Sequence, residues 1–150
     1  MNRNTDHCCN YNQLLPILKI PKMKVEVSNG ELLDKLSILE LKLTNINEKE
    51  KLINIKKEHD ELSPLAKELF VKYGTELKVF YQRLNEINAE LWAIEDDIRE
   101  CERNKNFGDL FVKLARAVYF TNDKRSDVKK SINLMTGSGF VEEKSYKDYE

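Results

Sequence analysis

The chain has 150 residues and a mass of 17.6 kDa, with 25 basic and 26 acidic side chains, a net charge of −1 and 41% hydrophobic residues. That is one domain with one core, and the charge balance removes the electrostatic footprint of a general nucleic-acid binder. Three cysteines exclude a disulfide scaffold and fit a reducing cytoplasm, and no apolar run reaches the roughly 18 residues that a membrane span requires.

Residues 1–22 read as a flexible N-terminal extension: they are polar at the start, carry His7-Cys8-Cys9, and are broken by Pro16 and Pro21. Residues 23–150 read as a single helical domain. Met23 to Val27 alternates and suggests a short extended segment. Ser28-Asn29-Gly30-Glu31 has the pattern of a capping box. Leu32, Leu36, Leu39, Leu43 and Ile46 then follow at spacings of four and three, with Leu33, Ile38 and Leu41 widening the apolar face. The weak helix formers at 45–47 mark its end. A second stretch, 48–62, places Leu52, Ile55, His59 and Leu62 on one side. Ser63-Pro64 reads as the start of a new, short helix that Gly74 stops.

The strongest element runs from about 75 to 103. Leu77, Phe80, Leu84, Ile87, Leu91, Ile94, Ile98 and Cys101 keep a three-four spacing throughout, as in a coiled coil. Such a rod is about 43 Å long, and its seam calls for an antiparallel partner: the 28–62 region or a second copy of the chain. After a loop at 104–108, Asp109 starts a helix with Leu110, Phe111, Leu114, Ala115 and Val118 inward. Thr121-Asn122-Asp123 reads as a turn and a new cap, and a last helix, 123–135, turns Val128 and Ile132 inward before Gly137 ends it. The expected fold is all-α, a long antiparallel helical hairpin with a small C-terminal helical cap.

Charge is unevenly spread. Residues 75–104 carry eight acids against four bases, and residues 105–139 seven bases against three acids. The C-terminal helices are therefore expected to fold back on the long acidic helix. Salt bridging on solvated faces accounts for this without any function. Three clusters offer chemistry beyond it. Asn88, Trp92, Glu95 and Arg99 form a stripe beside the apolar seam; it is either a polar network that sets helix register or the wall of a cleft, with Glu95 or Asp96 as the catalytic candidates. Arg116, Tyr119, Asn122, Asp123, Arg125 and Lys129 form a second group able to hold a phosphate or carboxylate, or else to pair with Glu95 and Asp96. Glu31 and Asp34, at i and i+3, are weak candidates for a hard cation, although acids in a first turn also suit the helix dipole.

Zinc-site spacings, a phosphate-binding glycine loop and nucleophile elbows are all missing, so no cofactor is expected. Cys101 reads as a small buried hydrophobe. The blocks Glu31–Leu39 (ELLDKLSIL), Leu91–Arg99 (LWAIEDDIR), Leu114–Tyr119 (LARAVY), Thr121–Arg125 (TNDKR) and Glu142–Tyr146 (EEKSY) resemble a family of small bacterial proteins catalogued as a domain of unknown function. The resemblance rests on the patterns L-W-x-I-E-D-x-I-R and A-R-x-V-Y-x-x-N-D-x-R and covers about residues 25–149. It implies one complete unit and supplies no catalytic residues. The all-α nucleotide pyrophosphohydrolases pair E-x-x-E with a later E-x-x-D; here Glu31-x-x-Asp34 precedes Glu58-x-x-Glu61, the opposite order.

Two functions follow as expectations. One is a non-enzymatic helical interaction module with a protein partner or a homodimer through the hairpin. The other is a small ligand-binding protein or enzyme that acts on a phosphorylated or carboxylated compound through the Glu/Asp/Arg cluster.

Overall fold

The structure, a computed structural model, describes residues 23–147. The expected extension at 1–22 and the His7-Cys8-Cys9 group lie outside the described residues. Among the described residues there are three helices and no strand: α1 (Asn29–Asn45), α2 (Lys49–Arg103) and α3 (Asp109–Thr136). Residues 23–27 form neither helix nor strand and are exposed.

The cap of α1 is half of the expected box. Ser28 Oγ accepts from the Glu31 N–H at 3.1 Å. Glu31 does not reach back to Ser28; its carboxylate reaches across to Lys129 on α3 at 2.6 Å, where a charged partner outbids one amide. α1 stops at Asn45, as the weak formers at 45–47 predict, with Ile46 extended.

Ser63-Pro64 does not begin a new helix: α2 runs through it. Pro64 removes one bond, the one to the Asp60 carbonyl. Both residues are exposed, so water can take that carbonyl. The real interruption is Gly74, at φ 63° and ψ −141°, which divides α2 into a first arm, 49–73, and a second arm, 75–103. In a straight helix, positions 70 and 81 would stand about 16 Å apart along the axis. Instead the Phe70 and Tyr81 rings meet edge to face at 5.1 Å, so the chain turns a corner at the glycine.

The second arm carries the seam its spacing predicts. Leu77, Leu84, Ile87, Leu91, Ile94 and Cys101 are buried, and Phe80 and Ile98 are half-buried. Leu33 and Leu36 of α1, Ala66 of the first arm, and Val128 and Ile132 of α3 complete the core. α1 lies antiparallel to the second arm: Asp34 and Ser37 meet Asn88, while Glu40 meets Tyr81. The seam is thus covered within one chain.

The turn expected at Thr121-Asn122-Asp123 is absent, and α3 is one 28-residue helix. The polar side chains that suggested a cap are engaged elsewhere: Thr121 Oγ1 donates to Glu90 at 3.2 Å, and Asn122 Nδ2 donates to the Val118 carbonyl at 3.0 Å. Leu110, expected inward, is exposed near the start of α3. Gly137 ends the helix in the left-handed conformation, and Ser138 N–H donates back to Asn133 O at 2.9 Å.

α3 folds back on the acidic second arm, but the expected ion pairs between the two are not what holds it among the described residues. Thr121–Glu90 and Arg125–Asn88 are the polar contacts there. Lys129 pairs instead with Glu31 and Glu142, and Lys130 with Glu143.

Candidate functional site

Four side chains, from α1, the second arm and α3, form one polar network. Asn88 is buried, and its amide donates to Asp34 Oδ1 at 2.9 Å and to Ser37 Oγ at 3.0 Å. Those two bonds fix which way the amide faces. Its oxygen is left toward α3, where Arg125 Nη1 reaches it at 3.5 Å. Asn88 therefore links buried Asp34 of α1 to a half-buried arginine of α3.

Asn88, Leu91, Trp92, Glu95, Asp96 and Arg99 of the second arm, with Asn122 and Arg125 of α3, line a groove of about 460 Å³, within the range of small-molecule sites. Trp92 is half-buried and is the only tryptophan of the chain. Glu95 and Arg99 close on each other: Arg99 Nη1 donates to Glu95 Oε2 at 2.5 Å and to the Glu95 carbonyl at 2.7 Å. Among the described residues, no carboxylate lies within 4.0 Å of the Arg125 guanidinium and no cation within 4.0 Å of Asp96.

The groove thus gathers Asn88, Trp92, Glu95, Asp96, Arg99, Asn122 and Arg125 from the two stripes read in the sequence. The other candidates are elsewhere. Arg116 stands on a different flank with Lys113 and Val112, its guanidinium 5.9 Å from the Phe120 ring. Tyr119 and Asp123 line an adjoining cleft with Val118, Lys144 and Tyr146, which shares Asn122 and Arg125 with the groove. Lys144 bridges Asn122 O and Asp123 Oδ1 at 3.1 and 3.0 Å.

Lys129 is buried in an ion triad with Glu31 at 2.6 Å and Glu142 at 3.1 Å. Burial works to lower its pKa, but the two carboxylates outweigh that and the net shift is upward. Glu31 and Asp34, the metal candidates, diverge: one serves Lys129 and the other Asn88. No group of three or more metal-ligating side chains forms among the described residues.

Missed by sequence reasoning is the part played by Asp34 and Ser37, which aim Asn88. Their signal was present as two polar residues on the inward face of an otherwise leucine-rich helix. Buried polar groups on such a face need partners, and Asn88 is the partner.

Fold and groove together define an all-helical protein with a polar, tryptophan-walled cleft between two antiparallel helices. Over residues 23–149 the chain belongs to the Family of unknown function (DUF6165). No curated protein and no solved structure matches it.

Proposed function

We propose that the protein binds a small anionic compound in the groove between the second arm and α3, with Arg125 as the anion hook. One observation carries this reading. Arg125 is half-buried in a groove that contains two carboxylates, yet among the described residues its one hydrogen bond is the 3.5 Å contact to the Asn88 oxygen. A guanidinium has five donors in a fork suited to carboxylate or phosphate, and withdrawing it from water with so little compensation is costly.

Thermal-shift and calorimetric titration with inorganic phosphate and with butyrate test the reading. A saturable response is expected to at least one of them. Arg125→Met should weaken it by about 10- to 100-fold, the value of one or two hydrogen bonds to a charged group. An unchanged affinity in Arg125→Met would remove the hook.

A second reading, the interaction module, draws on a different place. Phe107, Leu110 and Val112 are exposed where α2 hands over to α3, and Phe107 packs edge-on against Phe111 at 5.3 Å. Under that reading the native chain sediments as an oligomer at high concentration and Leu110→Glu sediments as a monomer.

A further inference from the structure

We infer that the ligand of this groove is an elongated zwitterion, with phosphate or carboxylate on Arg125 and a protonated amine on Asp96; the inference rests on the anion-hook reading above. The groove holds four formal charges. Glu95 and Arg99 neutralise each other at 2.5 Å, which leaves one open charge of each sign, Arg125 on α3 and Asp96 on the second arm.

A simple anion on Arg125 would leave exposed Asp96 unanswered at the other end of the same groove. An ammonium at the far end of the ligand adds a charge-assisted contact to Asp96, so the arrangement favours amine-bearing anions over plain ones.

The helix also sets the length. Asn88, Trp92 and Asp96 stand at i, i+4 and i+8, so they share one face of the second arm. Arg125 is anchored at the Asn88 end, and Asp96 lies two turns on, about 12 Å along the axis. A hydrogen bond of about 3 Å at each end leaves about 6 Å between the two charged groups of the ligand. An α-amino acid, whose charges sit on adjacent carbons, is too short. An aminohexose phosphate or an ω-amino acid fits. Trp92, midway between the two ends, offers its indole to the body of the ligand, with Leu91 beside it.

Trp92 also makes the test direct, because it is the sole tryptophan and lines the groove. Its fluorescence, with melting temperature as a second readout, is followed while the full chain is titrated at neutral pH with two matched pairs: glucosamine 6-phosphate against glucose 6-phosphate, and γ-aminobutyrate against butyrate. The pair that saturates identifies the anion.

Within that pair the amine-bearing member should bind at least about tenfold tighter, the effect of one charge-assisted contact. Asp96→Asn should erase the difference without weakening the amine-free member, and Arg125→Met should weaken both. Equal affinities within the saturating pair, or an amine preference that survives Asp96→Asn, overturn the zwitterion and leave the anion hook standing. Silence of both pairs in both readouts overturns the hook as well.

Discussion

Gly30 sits where the start of α1 meets the end of α3, and the fit there leaves no room for a side chain. Its N–H donates to Asn133 Oδ1 at 2.7 Å. A Cβ would stand 2.6 Å from the Lys129 carbonyl oxygen and 2.8 Å from Asn133 Oδ1. The first of these is helix backbone, which cannot rotate aside. Around the glycine, Asn29 donates to Ser138 Oγ and Thr136 Oγ1, and the Tyr73 hydroxyl donates to the Thr136 carbonyl at 2.7 Å. The positive end of one helix is thereby tied to the negative end of another. Gly30→Ala should lower unfolding stability by about 1–3 kcal/mol, the usual cost of overpacking. A urea midpoint that falls at constant slope checks it. None of this was legible in the sequence: Ser28-Asn29-Gly30-Glu31 reads fully as a local cap, and nothing local reveals a neighbour 103 residues away. Asn133 was equally silent, since one asparagine in a helix gives no hint that its oxygen receives another helix.

Gly74 is the element-scale counterpart, a position governed by conformation rather than by space. Its φ of 63° lies where side-chain-bearing residues are strained, and none of the described residues stands within 4 Å of an added Cβ. Gly74→Ala should therefore cost about 1–3 kcal/mol through the backbone alone. Gly139→Ala, in open space without a positive φ, should be nearly neutral; paired denaturant melts of the two variants separate strain from crowding. The glycine was legible as a stop because its neighbours keep helical periodicity on both sides. So was the seam from Leu77 to Cys101, since a three-four spacing held across eight positions leaves no other face to bury. Pro64 and Thr121-Asn122-Asp123 misled for a shared reason. A proline or a run of polar residues breaks a helix only when the freed groups lack other partners. Exposure of Asp60 and Pro64 to water, Glu90 for Thr121 and the Val118 carbonyl for Asn122 supply them. The same interhelix view explains the candidate site. The stripe Asn88-Trp92-Glu95-Arg99 could be read from one helix, whereas the choice of Arg125 over Arg116 and Lys129 needed the rotation of α3 against it.

For the whole molecule, charge placement predicts how the fold fails in base. Two groups on different helices hold their protons more tightly when the chain is folded. Among the described residues the buried Tyr81 hydroxyl makes no hydrogen bond of good geometry, and burial, followed by the facing Glu40 carboxylate, pushes its pKa well above the usual phenol range. Lys129, between Glu31 and Glu142, is also shifted upward from 10.5. An unfolded chain releases both protons as pH rises through about 10 to 10.5, while the folded chain retains them. Above that point the unfolded state binds fewer protons, so the free energy of unfolding falls with pH; below it the contribution is fully present. For Tyr81 the slope is at most about 1.4 kcal/mol per pH unit, reduced by whatever solvent screening reaches the partly exposed ring. Tyr81→Phe isolates its share. At neutral pH the variant should lie within about 1 kcal/mol of the native chain, because the hydroxyl it loses is buried and its contact with Glu40 falls short of good hydrogen-bond geometry. Between pH 10 and about 12 its stability should decline less steeply, with the Lys129 triad supplying the remaining slope. Urea melts of the two proteins at stepped pH measure this directly. Parallel curves over that interval would mean that the Tyr81 proton is not held by the fold.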